Sequence, residues 1–302
     1  MRSVLFLAIS LLATQACKAR TSPADAGPTQ NGSVPVSPPA ARPYRVHLPA
    51  DWDRSHPAPL VIFFHGYGST GDSSARGFGL DAASDAHGFV LATPDGTIDV
   101  EGRRFWNATN ACCNFENADV DDVAYAAWLI DDVSGKLPID RKRVYVAGHS
   151  NGGFMALRLA CDLAPRIAAA VSLAGAAWSD PARCSPSEPV SILQIHGSAD
   201  QIVRFDGGLI FNRPTRQYPG ALATVSSWAA KDRCGSSLAI AGMVIDFDAT
   251  IPGAETSLRQ AIGCPPGINA DLWTVAGGSH ELQPTVVGLG AMWTWMAVHP
   301  KP

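Results

Sequence analysis

The chain has 302 residues, 46% of them hydrophobic and 17% charged, enough to bury one large core, and α/β folds of this size often form one domain. A formal net charge of −4 without any Lys/Arg-rich run excludes a nucleic-acid or anionic-membrane surface. Small molecules or polymers are the partners this surface suits.

Met1-Arg2-Ser3 and the apolar run from Val4 to Ala13 give a basic start and a stretch too short to span a bilayer, which marks residues 1–16 as an export signal. Thr14-Gln15-Ala16-Cys17 resembles a bacterial lipobox, with Thr14 where Leu is usual. Lipidation of Cys17, which would anchor the protein to a membrane, and plain cleavage after Ala16 both remain open. Residues 17–43 are rich in Pro, Ser, Ala, Thr and Gly, cannot repay their ordering entropy, and predict a disordered tether. The folded domain is expected over residues 44–302.

Export places the cysteines in an oxidising compartment, where setting Cys17 aside leaves six of the seven for disulfides. Cys112 and Cys113 are adjacent and are expected to pair elsewhere, with Cys161 and Cys184 as candidates, leaving Cys234 and Cys264 for each other. No C-x-x-C, H-E-x-x-H or paired-histidine spacing supports a zinc site, and no metal or cofactor is expected.

Within the domain, Tyr44 to Leu48 reads as an edge strand, and the continuous apolar run Leu60-Val61-Ile62-Phe63-Phe64 as a buried parallel strand. His65-Gly66-Tyr67-Gly68 follows at once as a loop. Phe78 to His87 predicts a helix, Phe89 to Ala92 a strand, and Thr97 to Asn117 a long loop, read either as a wall of a substrate cleft or as a small satellite core. Asp119, Asp121 and Asp122 open an amphipathic helix whose dipole they complement, a better reading than a metal site. Ala168 to Ala174 and Val190 to Ile195 are further strands, so strands alternating with helices imply a mostly parallel sheet with helices on both faces.

The most informative stretch is Arg143 to Gly153. Val144, Tyr145 and Val146 suit a buried strand, Gly148-His149-Ser150-Asn151-Gly152 matches G-x-S-x-G, and Phe154 to Ala160 continues with helix formers. Strand, elbow and helix together are the context in which this motif lifts a serine hydroxyl above the sheet and aims the next N–H at a developing oxyanion. Ser150 is the candidate nucleophile and Asn151 an oxyanion donor. The second donor of this α/β-hydrolase architecture comes from the loop after an earlier strand, here the Tyr67 backbone.

In this architecture the acid and then the histidine follow the nucleophile. Five histidines precede Ser150, His196 ends a strand ahead of the best acid, and His299 lies in a short tail. His280, in the loop after the strand-like Leu272 to Val275, is left as the base. Asp162 lies on a helix, Asp232 near a helix end, and Asp246 and Asp248 in a strand-like stretch. Asp200 fits the acid best, at the C-terminal edge of the sheet, with Asp206 in reserve.

Val120-Asp121-Asp122-Val123, Gly148 to Gly153 with Arg158-Leu159-Ala160-Cys161, His196-Gly197-Ser198-Ala199-Asp200, Trp228 with Cys234, and Gly277-Gly278-Ser279-His280 resemble the secreted polyhydroxybutyrate-depolymerase and feruloyl-esterase family of α/β-hydrolases, from about Tyr44 to Trp295. The resemblance implies the Ser150, Asp200, His280 triad and a Cys234–Cys264 disulfide. The chain departs from the family's Gly-His-x-Trp-Pro with His280-Glu281-Leu282-Gln283-Pro284, so an aromatic substrate wall is expected to be missing there.

The expected function is that of an exported serine esterase working through an acyl-enzyme, acting on feruloyl-type esters of plant cell-wall polysaccharide. A hydroxyalkanoate polyester depolymerase is the alternative within the class. Acyl transfer to an acceptor sugar and a catalytically inactive binding protein on the same fold are further alternatives.

Overall fold

A computed structural model describes residues 42–302, so the export-signal and Cys17 readings and most of the tether lie outside the described residues. The tether expected over residues 17–43 overlaps the described residues only at Arg42 and Pro43; the Arg42 guanidinium pairs with the buried Asp122 and stands 3.9 Å from the Tyr125 ring centroid. Asp121 caps the helix that follows by accepting from the Ala124 N–H at 2.8 Å. These aspartates therefore start a helix.

Nine strands form one sheet. In chain order the elements are β1 (Tyr44–His47), β2 (Ala58–Phe64), α1 (Gly71–Gly77), α2 (Leu80–His87), β3 (Val90–Pro94), β4 (Thr97–Ile98), β5 (Arg104–Phe105), α3 (Asp122–Lys136), β6 (Ile139–His149), α4 (Asn151–Asp162) and β7 (Ala169–Leu173), then β8 (Ser191–Gly197), β9 (Gly207–Leu209), β10 (Gln217–Pro219), α5 (Ala221–Lys231), β11 (Leu238–Ile245), β12 (Thr256–Ala261), β13 (Ala270–Val275) and α6 (Val286–Ala297). The sheet order is β1-β3-β2-β6-β7-β8-β13-β12-β11. β3, β2, β6, β7, β8 and β13 run parallel, and antiparallel pairings add β1 at one edge and β12 and β11 at the other.

Period-two alternation explains why both faces of the sheet are covered. Leu60, Ile62 and Phe64 of β2 join Leu129 of α3, Phe154 of α4 and Trp228 of α5 in one core. Val61 and Phe63 point the other way, to Leu80 of α2 and Leu289, Met292 and Trp295 of α6. Among the described residues no helix is long and apolar enough to cross a membrane.

The helix expected over Phe78–His87 is α2, which starts at Leu80 after Gly79 adopts φ 65°, and a further helix, α1, precedes it. α1 was hidden by the polar run Gly71-Asp72-Ser73-Ser74, which Thr70 caps by accepting from the Ser73 N–H at 3.1 Å. Asp246 and Asp248 follow β11 rather than lying within it. The long loop contains the β4–β5 hairpin, and its Phe105 and Trp106 are buried in the first core while Cys112 and Cys113 border a cavity. Both readings of that loop hold, for different residues.

The cysteine pairing needs correction. Cys161 on α4 stands 5.7 Å, Cα to Cα, from Cys184 and is bonded to it, so neither is available to Cys112 or Cys113. Those two are bonded to each other across a cis peptide, with Cα atoms 3.1 Å apart. Cys234 and Cys264 pair as expected and fasten the end of α5 to the turn between β12 and β13. Peptide mapping without reduction should find Cys112 and Cys113 bridged within a single peptide and six hydrogens missing from the domain's mass. A peptide joining Cys112 or Cys113 to Cys161 would contradict the structure.

Asp232 closes α5 in full burial, accepting from the Val190 N–H at 3.1 Å with its other oxygen lacking a partner among the described residues. Burial pushes its carboxyl up to about 7, against a weaker opposing pull from Lys301. With the folded-state pKa above the unfolded one, the folded chain binds the extra proton between about pH 4 and 7, and stability falls as pH rises through that window. Asp232→Asn should remove this fall, so its melting temperature should gain on wild type between pH 5 and pH 8. Parallel melting curves for the two proteins across that range would contradict the assignment.

Candidate active site

The elbow between β6 and α4 is shaped by what cannot fit there. A Cβ on Gly152 would collide with the Phe64 carbonyl and one on Gly148 with the Gly152 carbonyl, so two glycines let α4 start directly against β2. Ser150 bridges them with φ 54° and ψ −119°, a conformation that costs of order 1–3 kcal/mol and persists only where its surroundings enforce it. Its N–H donates to the Leu173 carbonyl of β7 at 2.8 Å, and α4 follows immediately.

His280 approaches from the loop after β13, and Asp200 from the loop after β8, the neighbouring strand. His280 Nε2 lies 2.8 Å from Ser150 Oγ, and His280 Nδ1 lies 2.7 Å from Asp200 Oδ2. Three residues more than 40 positions apart are thereby joined in one unbroken hydrogen-bonded line. Burial would raise the Asp200 pKa. Hydrogen bonds from His196 and His280 and from the Ile202 N–H outweigh it and hold the carboxyl well below the usual carboxylate range. Oδ1 accepts from the Ile202 and Val203 N–H groups at 2.8 and 2.9 Å, which fixes the carboxylate plane. Asp206, the reserve acid, is exposed and makes no hydrogen bond to His280.

Buried histidines hold the surroundings. His149 Nε2–H donates to the His280 carbonyl at 2.8 Å, tying the elbow to the backbone of the loop that carries His280. Burial, reinforced by the neighbouring His280 ring, holds the His149 pKa well below the histidine range, which keeps it neutral. His65 is pushed down to about 4 by burial; its Nδ1–H donates to the Gly66 carbonyl at 2.7 Å and its Nε2 accepts from the Gly96 N–H at 2.9 Å. His196 Nε2–H donates to the Val203 carbonyl at 2.6 Å and stands 3.3 Å from Asp200 Oδ2.

The two oxyanion candidates are linked through a third residue. Asn151 grips the Trp106 backbone twice, accepting from its N–H at 2.7 Å and donating to its carbonyl at 3.0 Å, while the Trp106 indole donates to the His65 carbonyl at 3.0 Å. The backbone N–H groups of Tyr67 and Asn151 have no acceptor among the described residues. The Tyr67 side chain is turned aside, its hydroxyl donating to Asp99 at 2.6 Å, so the backbone alone is offered to a ligand. The Asn151–Trp106 clamp, the His149 tether and the His196 support were not read from the sequence. His196 and Asp200, four apart at a strand end, were the one local signal.

A cavity of about 420 Å³ opens over Ser150 and His280, walled by Phe78, Ile202, Val203, Ile210, Phe211 and the Cys112–Cys113 bridge, with Glu281 at its edge. Leu282 is buried in the second core and does not line it, so the position expected to lack an aromatic wall is not part of the wall. Phe78 and Phe211 supply aromatic surface instead. His149, His280 and Glu281 offer ligand atoms within 4.8 Å of one another, but His149 and His280 already spend nitrogens on the His280 carbonyl, Ser150 and Asp200.

Residues 52–213 match the family model described as phospholipase/carboxylesterase. Feruloyl esterase B of Piromyces equi is 29% identical over 241 residues, covering 78% of this chain and 42% of that protein. Feruloyl esterase D of Neurospora crassa is 28% identical over 213 residues, covering 66% and 68%. The chain spans about half the length of the curated relatives it matches first. Among solved structures, an acetyl xylan esterase from Aspergillus awamori superposes with a TM-score of 0.59 at 15% identity, over 86% of this chain and 95% of that one, which shows the α/β-hydrolase fold.

The geometry separates the two candidate acids. Asp200→Asn should lower kcat on an activated ester by about 10⁴-fold, whereas Asp206→Asn should change it less than about threefold. The reverse order, measured with p-nitrophenyl butyrate, would move the acid to Asp206.

Proposed function

We propose that this chain, which belongs to the phospholipase/carboxylesterase family, hydrolyses carboxylic esters through an acyl-enzyme on Ser150. The observation that carries the reading is the unbroken Ser150–His280–Asp200 hydrogen-bonded line at the floor of an open cavity. His280 Nε2 takes the Ser150 proton as Oγ bonds to the ester carbonyl carbon, and the carbonyl electron pair moves to an oxyanion facing the Tyr67 and Asn151 N–H groups. Collapse breaks the bond to the alcohol oxygen, which leaves with the proton from His280. Water then repeats the two steps, releasing the carboxylic acid and free Ser150. Asp200, kept ionised, holds the His280 ring in register and stabilises its transient positive charge.

For the acyl group, we take feruloyl-type esters of plant cell-wall polysaccharide as the substrate class. The names of the relatives support this, as does a cavity of about 420 Å³ with Phe78 and Phe211 in its wall, more space than an acetyl group requires. Three disulfides support an oxidising, extracytoplasmic location. In this reading residues 1–16 are an export signal and 17–43 a tether, with Cys17 either lipidated or left by plain cleavage after Ala16.

Purified protein should turn over methyl ferulate with a higher kcat/KM than p-nitrophenyl acetate after correction for leaving-group reactivity. Ser150→Ala should lose about 10⁴- to 10⁶-fold in kcat on both while melting within a few degrees of wild type. Wild-type-like turnover by Ser150→Ala would remove the acyl-enzyme, and turnover of the acetyl ester alone would remove the feruloyl assignment.

A further inference from the structure

The loop that walls the ester cavity with Cys112 and Cys113 also walls a second cavity, about 480 Å³ in volume, with the residues around that bridge. Asn110, Asn114, Arg158, Trp178, Arg183 and Arg216 line it. Its lining is unlike that of the ester cavity. Amides and guanidinium groups dominate, and neither apolar depth nor a nucleophile is present.

Its charge is unbalanced. Arg158 is neutralised by Asp162 at 2.6 Å, but Arg183 and Arg216 have no carboxylate partner among the described residues. The Arg183 guanidinium carbon lies over the indole of Trp178, 4.3 Å from the ring centroid, with that of Arg158 5.5 Å from the same centroid. Cation–π contact supports the Arg183 guanidinium while its N–H groups have no hydrogen-bond partner among the described residues. Arg216 donates to the Asn110 and Phe115 carbonyls at 2.8 and 3.2 Å, and burial together with the Arg213 charge disfavours its cation. An anion seated between these guanidinium groups would relieve that imbalance. In a protein of net charge −4, a fixed positive cleft is a local arrangement rather than a general surface property.

We infer that this second cavity binds a carboxylate-bearing oligosaccharide, a uronate residue of the glycan, with the acid group on Arg183 and Arg216 and sugar hydroxyls on the surrounding amides. A planar carboxylate matches the guanidinium fork, and the volume exceeds that of a simple inorganic anion. Since residues 110 and 112 line different cavities, one loop borders both the second cavity and the cavity that holds Ser150. That places the site beside a polymer whose ester occupies the first, and this part rests on the esterase reading.

The test is made on Ser150→Ala protein, so that binding is read without turnover. Calorimetric titration with a glucuronic-acid-substituted xylo-oligosaccharide should give at least roughly tenfold tighter binding than with the unsubstituted oligomer of equal length, and the difference should shrink with added salt. Arg183→Gln should abolish the preference and Arg183→Lys should retain part of it. Equal affinity for the two oligomers, a preference untouched by Arg183→Gln, or displacement of the acidic oligomer by an equal concentration of inorganic phosphate would each overturn the proposal. With Ser150 intact, Arg183→Gln should leave kcat/KM on methyl ferulate unchanged. If wild type turns over no ester at all, the esterase reading fails while the binding comparison still decides this one.

Discussion

The constraint on which the rest depends is the close approach of α4 to β2 at the elbow. Two glycines permit it, and the Phe64 and Gly152 carbonyls enforce it. It drives Ser150 to φ 54°, lifts the hydroxyl off the C-terminal edge of the sheet, and leaves the first N–H groups of α4 without backbone partners. A conformation costing of order 1–3 kcal/mol has to be maintained by packing, and the fully buried Phe154, Met155 and Leu159 of α4 against the sheet provide it. The position of Ser150 is thus a consequence of core packing.

The other functional groups reach that point along the sheet. β8 and β13 pair in parallel, and each delivers one residue at its C-terminal end, Asp200 and His280, while β6 delivers Ser150 two strands from β8. Hydrogen bonds then tie these separate loops to one another. His149 holds the His280 carbonyl, His196 and two N–H groups hold Asp200, and Asn151 reaches through Trp106 to the loop of Tyr67. Burial keeps His149 neutral, and Asp200 supplies the fixed anion beside His280. A low-dielectric site with one fixed anion is suited to stabilising an imidazolium that forms only during reaction.

Much of this was legible in the sequence because it depends on local rules. The apolar runs Leu60–Phe64 and Ala168–Ala174 can only be buried strands, and the elbow needs Gly, Ser and Gly at fixed offsets. Chain order then left Asp200 and His280. What escaped notice depends on contacts between distant segments: the Asn151–Trp106 clamp spans 45 residues and the His149–His280 tether 131. The Cys112–Cys113 bridge escaped for a different reason. Adjacency argued against it, while the fact that decides it, the commitment of Cys161 to Cys184, is a matter of how α4 faces the loop after β7. α1 was missed because its polar first turn carries no hydrophobic period.

The central claim is that Ser150 carries the acyl group, and the most direct measurement is to trap it there. Wild-type protein quenched in acid during turnover of p-nitrophenyl butyrate, or treated with a fluorophosphonate, should show one added acyl or phosphonyl group. Tandem mass spectrometry should locate it on the peptide containing Gly148-His149-Ser150, with none on Ser150→Ala. An adduct on another residue, or sustained ester turnover with no adduct under either treatment, would contradict the account.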